Sequence, residues 1–234
     1  MIEKFNAIRY GKKEIHYELI HQERKTLGIK VFPEGFVKVY APFDVSLEKI
    51  EEKIKEKARW ILKHQREFLS YQPLTPARKY INGETHLYLG RQYLLFAELA
   101  KINEVKVYRG KLIVLHKATV SVEKVLKNWY KEKARAYFNL LLKEKITLFA
   151  KFAIEEPSLV IRTMSKRWGS CTAIGKIILN PELVKAPKGS IEYVIIHELC
   201  HLVYHNHTKD FYNLQSKIMP DWMKWKSKLE HTLV

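Results

Sequence analysis

The stretch Ile195-Ile196-His197-Glu198-Leu199-Cys200-His201-Leu202-Val203 places two imidazoles four residues apart, with a carboxylate beside the first. On a helix, residues i and i+4 lie one above the other, so both rings can reach a single ion at about 2.0–2.1 Å. Glu198, one position round, reaches over the open coordination position, where it can take a proton from water. The spacing therefore reads as a zinc site on a helix.

The surroundings strengthen that reading. Ser190, after Ala186-Pro187-Lys188-Gly189, is a suitable N-cap, and Ile191, Val194, Ile195, Ile196, Leu199, Leu202 and Val203 make the helix apolar almost all round. Such a helix is buried, and two histidines and a glutamate within it need metal or hydrogen bonds to offset their desolvation. The bland alternative is two satisfied core histidines with a glutamate paired to lysine or arginine. A catalytic zinc takes three protein ligands. His205 continues the ladder, but a straight helix rises about 12 Å from His197 to His205, too far for one ion. His207 is better placed if Asn206 adopts the left-handed conformation that ends a helix and turns the chain back.

The run Arg167-Trp168-Gly169-Ser170-Cys171, then Ile178-Leu179-Asn180, His197-Glu198-Leu199-Cys200-His201, Asn206-His207, Phe211 and Met219-Pro220-Asp221 resembles the YgjP-like zinc metallopeptidases, relatives of SprT, Spartan-type and WLM proteases. The likeness is dense from about Ile161 to Trp222 and looser before it. It implies His197, His201 and His207 as ligands of one Zn²⁺ per chain, and a protein or peptide substrate. It also implies a cleft whose wall is the hairpin carrying Trp168, Gly169, Ser170 and Cys171, along which an extended substrate adds as a strand. Cys200 stands where the family more often has alanine. The expected fold class is α+β: a zincin-like C-terminal domain over 117–234, with the HExxH helix beside a small β-sheet. Before it comes a β-rich N-terminal region over 1–116, and both parts carry long amphipathic helices.

Of 234 residues, 47% are hydrophobic, enough for a sizeable core. No apolar run has signal-peptide or membrane-spanning length, and two cysteines make no disulfide scaffold, so a cytoplasmic protein with no membrane partner is expected. The 42 Lys and Arg against 25 Asp and Glu leave a net +17, a field that favours polyanions and makes nucleic acid a candidate partner. Much of that charge alternates with glutamate, as in Lys49, Lys53, Lys55 and Lys57 among Glu48, Glu51, Glu52 and Glu56, which reads as solvated helix faces.

In chain order, Ile15 to Ile20, Leu27 to Phe32 and Phe36 to Tyr40 read as antiparallel strands, and Ser46 caps a helix over 46–71 with Ile50, Ile54, Ala58, Ile61, Leu62, Gln65 and Phe68 inward. The helix ends near Tyr71, before Pro73 and Pro76. Strands follow at His86 to Leu89, Tyr93 to Ala97, Val105 to Tyr108 and Leu112 to Leu115. Whether the two β-rich pieces form one sheet or two is left open. Ser121 caps a helix to about Phe152 whose Trp129, Tyr130, Tyr137 and Phe138 suit core packing better than base stacking. Leu159 to Thr163 and Lys176 to Asn180 flank the Trp168-Gly169-Ser170-Cys171 run. Thr208 caps a short helix, and a last helix carries Trp222, Trp225 and Leu229.

Two other chemistries compete with the peptidase. Cys171 could replace His207 as third ligand, as in peptide deformylases, which would make the protein an amidase acting on formylated N-termini. Alternatively, the chain is a DNA-associated protein, either a DNA-stimulated protease or a binding protein with structural zinc. Tyr193, Tyr204, His205 and Arg167 are candidates for stabilising an oxyanion, and Asp210 and Asp221 for holding a ligand histidine.

Overall fold

The computed structural model describes residues 5–32, 35–70, 78–165, 167–172 and 174–233. The chain divides into two compact units, Met1–Leu74 and Thr75–Val234. The sequence pattern set the division after residue 116. The difference arises because the second β-rich piece shares its core with the helices that follow, with Leu95, Leu112 and Val114 in one apolar cluster with Leu126, Phe138, Ile195 and Leu199.

The first unit consists of β1 (Phe5–Tyr10), β2 (Lys13–His21), β3 (Gly28–Val31), β4 (Val37–Ala41) and α1 (Leu47–Ser70), with sheet order β1-β2-β4-β3. Strand alternation points Ile15, Tyr17, Val37, Val39 and Ala41 to one face, where they bury Ile50, Ile54, Ala58 and Ile61 of α1. Each such Ile or Val stabilises the unit by about 1.5–3 kcal/mol. Two expectations change. β1 had no counterpart in the sequence reading, and β4 runs parallel to β2, not antiparallel. The reason is that β3 pairs outside β4 as an antiparallel edge strand, so β4 returns in the direction of β2. Gln65 does reach inward, donating to Gly35 O at 2.6 Å. The expected helix end near Tyr71 and the Phe68 side chain lie outside the described residues.

The second unit opens with β5 (Thr85–Tyr88), β6 (Arg91–Leu99), β7 (Glu104–Tyr108), β8 (Lys111–His116) and α2 (Val122–Ile146), in sheet order β5-β6-β8-β7. The two β-rich pieces are thus separate four-stranded sheets. Leu89-Gly90 and Arg109-Gly110 turn with positive φ at both residues, the conformation that matches strand twist in a two-residue hairpin. Ser121 caps α2 by accepting from Lys124 N at 3.3 Å. Trp129 and Tyr130 are buried, and the Tyr130 hydroxyl donates to Leu87 O at 2.7 Å, so these aromatics belong to the core.

Both sheets have the same topology: an antiparallel first pair, a parallel pairing of second with fourth strand, the third strand at the edge, and then a long helix. The sequence repeats with them. Val45-Ser46-Leu47-Glu48-Lys49-Ile50 corresponds to Val120-Ser121-Val122-Glu123-Lys124-Val125, and Lys-Glu-Lys-Ala-Arg occurs at both 55–59 and 131–135. The chain therefore carries two copies of one ββββα module, the second embedded in the larger unit.

That unit continues through a 3-10 turn (Thr147–Phe152), β9 (Ser158–Ile161), β10 (Gly169–Cys171), β11 (Lys176–Leu179), α3 (Lys188–Val203), α4 (Lys209–Ile218) and α5 (Trp222–Leu233). β10 is an edge of the three-stranded sheet β10-β11-β9. Among the described residues, no helix is long and apolar enough to cross a membrane.

Candidate metal centre

Helix α3 begins one turn earlier than a Ser190 cap implies. Pro187 occupies the cap position, its fixed φ already compatible with a helix start, and the Ser190 hydroxyl instead donates to Trp225 O at 3.0 Å. The helix ends at Tyr204, which is extended at φ −127° and ψ 106°. Asn206 is not among the residues with positive φ, so an extended Tyr204, not a left-handed Asn206, releases the chain from the helix. Thr208 then accepts from Phe211 N at 3.4 Å and starts α4.

This path sets His207 beside the helical pair. One ring nitrogen from each of His197, His201 and His207 lies within 4.8 Å of the others. His197 Nε2 and His207 Nε2 are 3.0 Å apart, close to the roughly 3.3 Å expected between two nitrogens bound tetrahedrally to one ion. The Phe211 ring, fully buried, sits against all three imidazoles, with centroids 5.0, 4.7 and 4.8 Å from those of His197, His201 and His207.

The histidine chemistry suits a metal. His197 Nδ1 donates to Gln215 Oε1 at 2.9 Å, and His201 Nδ1 to Tyr204 O at 3.3 Å. A neutral ring that donates from Nδ1 presents a bare lone pair at Nε2. Burial pushes His197 down to about 4 and lowers His201, which keeps both neutral, the form that ligates. The donor set thus fits a metal ion that takes neutral imidazoles.

Glu198 lies next to this group, 5% exposed. Burial pushes it up to about 7, against the opposing pull of the Arg167 charge and a hydrogen bond from the Cys171 amide. Gly169, Ser170, Cys171, Thr172, Arg167, Glu198, His205 and the three histidines line a cavity of 390 Å³. Trp168 does not line it and instead packs on the core. Cys171 is outside the group of converging ligand atoms; its thiol donates to Thr172 O, and burial pushes it up to about 11.

The other candidates separate in the same way. Arg167 and His205 face the cavity, whereas Tyr193 and Tyr204 do not. Asp221 accepts from Trp225 Nε1 at 2.6 Å, and Asp210 is exposed in the first turn of α4, so neither is seen to hold a ligand histidine. That position belongs to Gln215, which the sequence reading missed. It lies on the Phe211-Leu214-Gln215 stripe of α4, and a polar residue on an otherwise apolar stripe was the available signal.

A metallopeptidase domain is also what the comparisons find. Residues 25–232 match the model of the YgjP-like metallopeptidase domain, and the chain belongs to that family. Two solved structures are similar in part. The metallopeptidase zymogen of Pyrococcus abyssi abylysin is 22% identical, covers 37% of this chain and 85% of its own, and gives a TM-score of 0.34. That of Methanocaldococcus jannaschii jannalysin is 21% identical, covers 42% and 97%, and gives 0.36. No curated protein matches significantly.

Proposed function

We propose that the chain is a zinc-dependent peptidase in which His197, His201 and His207 hold one Zn²⁺ and Glu198 is the general base. The observation that carries this reading is the convergence of three imidazole nitrogens beside a buried glutamate in an open cleft. A zinc ion bound there supplies Lewis acidity, acidifying water and polarising the scissile carbonyl.

The protein's own groups do the rest. Trp168 O and Thr172 N pair with β11, so by alternation Gly169 and Cys171 direct their backbone groups toward the cleft. A substrate strand can pair with the Gly169 backbone and Cys171 C=O, while the Cys171 amide holds the Glu198 carboxylate. Glu198 accepts a proton from the attacking water and delivers it to the leaving amine, a role suited to a group whose pKa is near neutral. Arg167, which lines the cavity and carries a fixed positive charge, is the group positioned to meet negative charge developing on the carbonyl oxygen, whereas the His205 Nδ1–H is already given to His201 O at 3.1 Å.

The test is hydrolysis of an unfolded protein by the zinc-loaded chain, with Glu198→Gln as blank, with and without single-stranded DNA. Cleavage that disappears in the variant supports the reading, and DNA dependence would add a polyanion activator drawn by the +17 charge. Full cleavage by a metal-loaded Glu198→Gln would reject the general base. Metal loss on Cys171→Ser would favour the deformylase-like ligand set.

A further inference from the structure

The duplicated module repeats a groove as well as a topology. In the first copy, Leu27, Ile29, Lys53, Lys57 and Trp60 line a cavity of 340 Å³ between β3 and α1. In the second, Asn103, Val105, Asn128 and Lys133 are among the residues lining one of 370 Å³ between β7 and α2. Leu27, Ile29, Lys53 and Lys57 correspond to these four in turn, each 75 or 76 residues further along. Two copies that have diverged through most of their sequence both leave this space open, which makes it a property of the module.

In both, the strand lining the groove is a sheet edge. Phe32 N donates to Phe36 O on the β4 side, so by alternation Ile29 and Val31 aim their N–H and C=O groups away from β4. Tyr108 closes the β7–β8 hairpin opposite Lys111, which gives Val105 and Val107 the same outward direction. An edge whose backbone groups point away from the sheet, beside a helix and an apolar trough, is the arrangement by which an extended peptide adds as a further strand.

Charge distinguishes the copies. Among the described residues, the first groove is lined by two lysines and no acidic residue, whereas Glu104 and Glu132 join Lys133 in the second. Lys53 pairs with Glu56 at 2.8 Å on the exposed helix surface, a contact readily exchanged for another carboxylate. Trp60, 41% exposed, offers an apolar wall.

We propose that the groove of β3 and α1 binds an extended, acidic and apolar polypeptide segment, which pairs with Ile29 and Val31 and sets its carboxylates against Lys53 and Lys57. A backbone partner suits the edge strand better than a nucleic acid, which lacks the alternating donors and acceptors of a peptide. This groove shares no lining residue with the candidate metal site and does not rest on the peptidase reading.

The test uses the full chain with Glu198→Gln, which prevents cleavage of the probe. The probe is a short fluorescein-labelled peptide alternating valine and glutamate, compared with its lysine counterpart and with oligothymidylate. Polarisation should report binding of the acidic peptide alone, weakened about tenfold or more by combined Lys53→Glu and Lys57→Glu and unaffected by Lys133→Glu. In the Glu198→Gln chain without groove substitutions, the peptide should slow amide exchange at Ile29 and Val31. Equal binding to the lysine-reversed chain, or no change in exchange at β3, would overturn the proposal. So would oligothymidylate binding that depends on the two lysines when peptide binding does not. His197→Ala should leave peptide binding intact while removing metal, so failure here and failure of the peptidase reading are distinguishable.

Discussion

Gly169 on β10 lies flat against the Glu198 side chain of α3: a Cβ at residue 169 would stand 2.5 Å from Oε1 and 2.9 Å from Cγ. The glutamate has little room to yield, because it is buried and the Cys171 amide holds its carboxylate. Gly169→Ala should therefore push the proposed general base aside and leave the imidazoles in place. A displacement near 1 Å at a reacting group costs about 10²-fold in rate. The expected result is a drop of that order in kcat with zinc content unchanged. Parallel loss of zinc, read by elemental analysis, would mean that the strand supports the histidines instead.

Gln215 is fully buried and turns its amide oxygen to His197 Nδ1, while its Nε2 has no partner among the described residues. Keeping a buried amide with one unpaired donor is costly unless the other end is needed. Gln215→Leu should weaken zinc binding about 10–100-fold, as loss of a ring-orienting partner does. Gln215→Glu, which keeps an acceptor, should bind zinc far better than the leucine variant, and Asp210→Asn should match the unmodified chain. Competition against a chromophoric chelator measures all three. An unchanged zinc affinity in Gln215→Leu would remove the orienting role.

The pair His197 and His201 was legible because its geometry is local: four residues on a helix bring two rings to one side, whatever the rest of the chain does. His207 is legible as a residue, but an extended Tyr204, and not the left-handed Asn206 that the pattern suggests, carries the backbone change. Gln215 depends on how α4 packs against α3, and no pattern within either helix encodes that. The parallel pairing of β2 with β4 was hidden for a similar reason, because alternation tells which face is buried but not which strand lies alongside. The duplication is written plainly in the helices, at Val45–Ile50 and Val120–Val125, while the strands share little beyond their alternation of buried positions.

His86 gives the larger unit a defined acid sensitivity. It is 3% exposed, and its Nε2 donates to Glu84 Oε2 at 3.1 Å. Burial lowers its pKa from 6.5 despite the pull of Glu84. The unfolded chain then binds more protons than the folded one, so the stability His86 contributes is present above about pH 6.5 and lost as pH falls below it. Glu84 acts in the same sense at lower pH. Burial raises its pKa, but hydrogen bonds from the Lys79 and Tyr80 amides and from His86 outweigh that and leave it lowered. Thermal unfolding should show Tm falling from pH 7 to 5, with a shallower fall in His86→Phe. An equal slope in both would assign the acid sensitivity elsewhere.

Gly90 ties the second module to the helix of the candidate metal centre. Its N–H donates to Lys185 O at 3.0 Å, and the Leu89 N–H to Val184 O at 2.9 Å, so the β5–β6 turn is pinned to the segment that leads into α3. Gly90 has φ +75°, and a Cβ there would stand 2.8 Å from the Cα of Pro187, the residue at the cap of α3. Both the left-handed backbone and the contact penalise a side chain, and the obstacle is backbone, which cannot rotate out of the way. Gly90→Ala should destabilise the unit by about 1–3 kcal/mol. Because His197 lies more than two turns along α3 from Pro187, zinc affinity should change much less than stability. Denaturant unfolding and chelator competition on the same sample separate the two. If zinc affinity falls as steeply as stability, the turn does more than brace the helix: it sets the position of the ligands themselves.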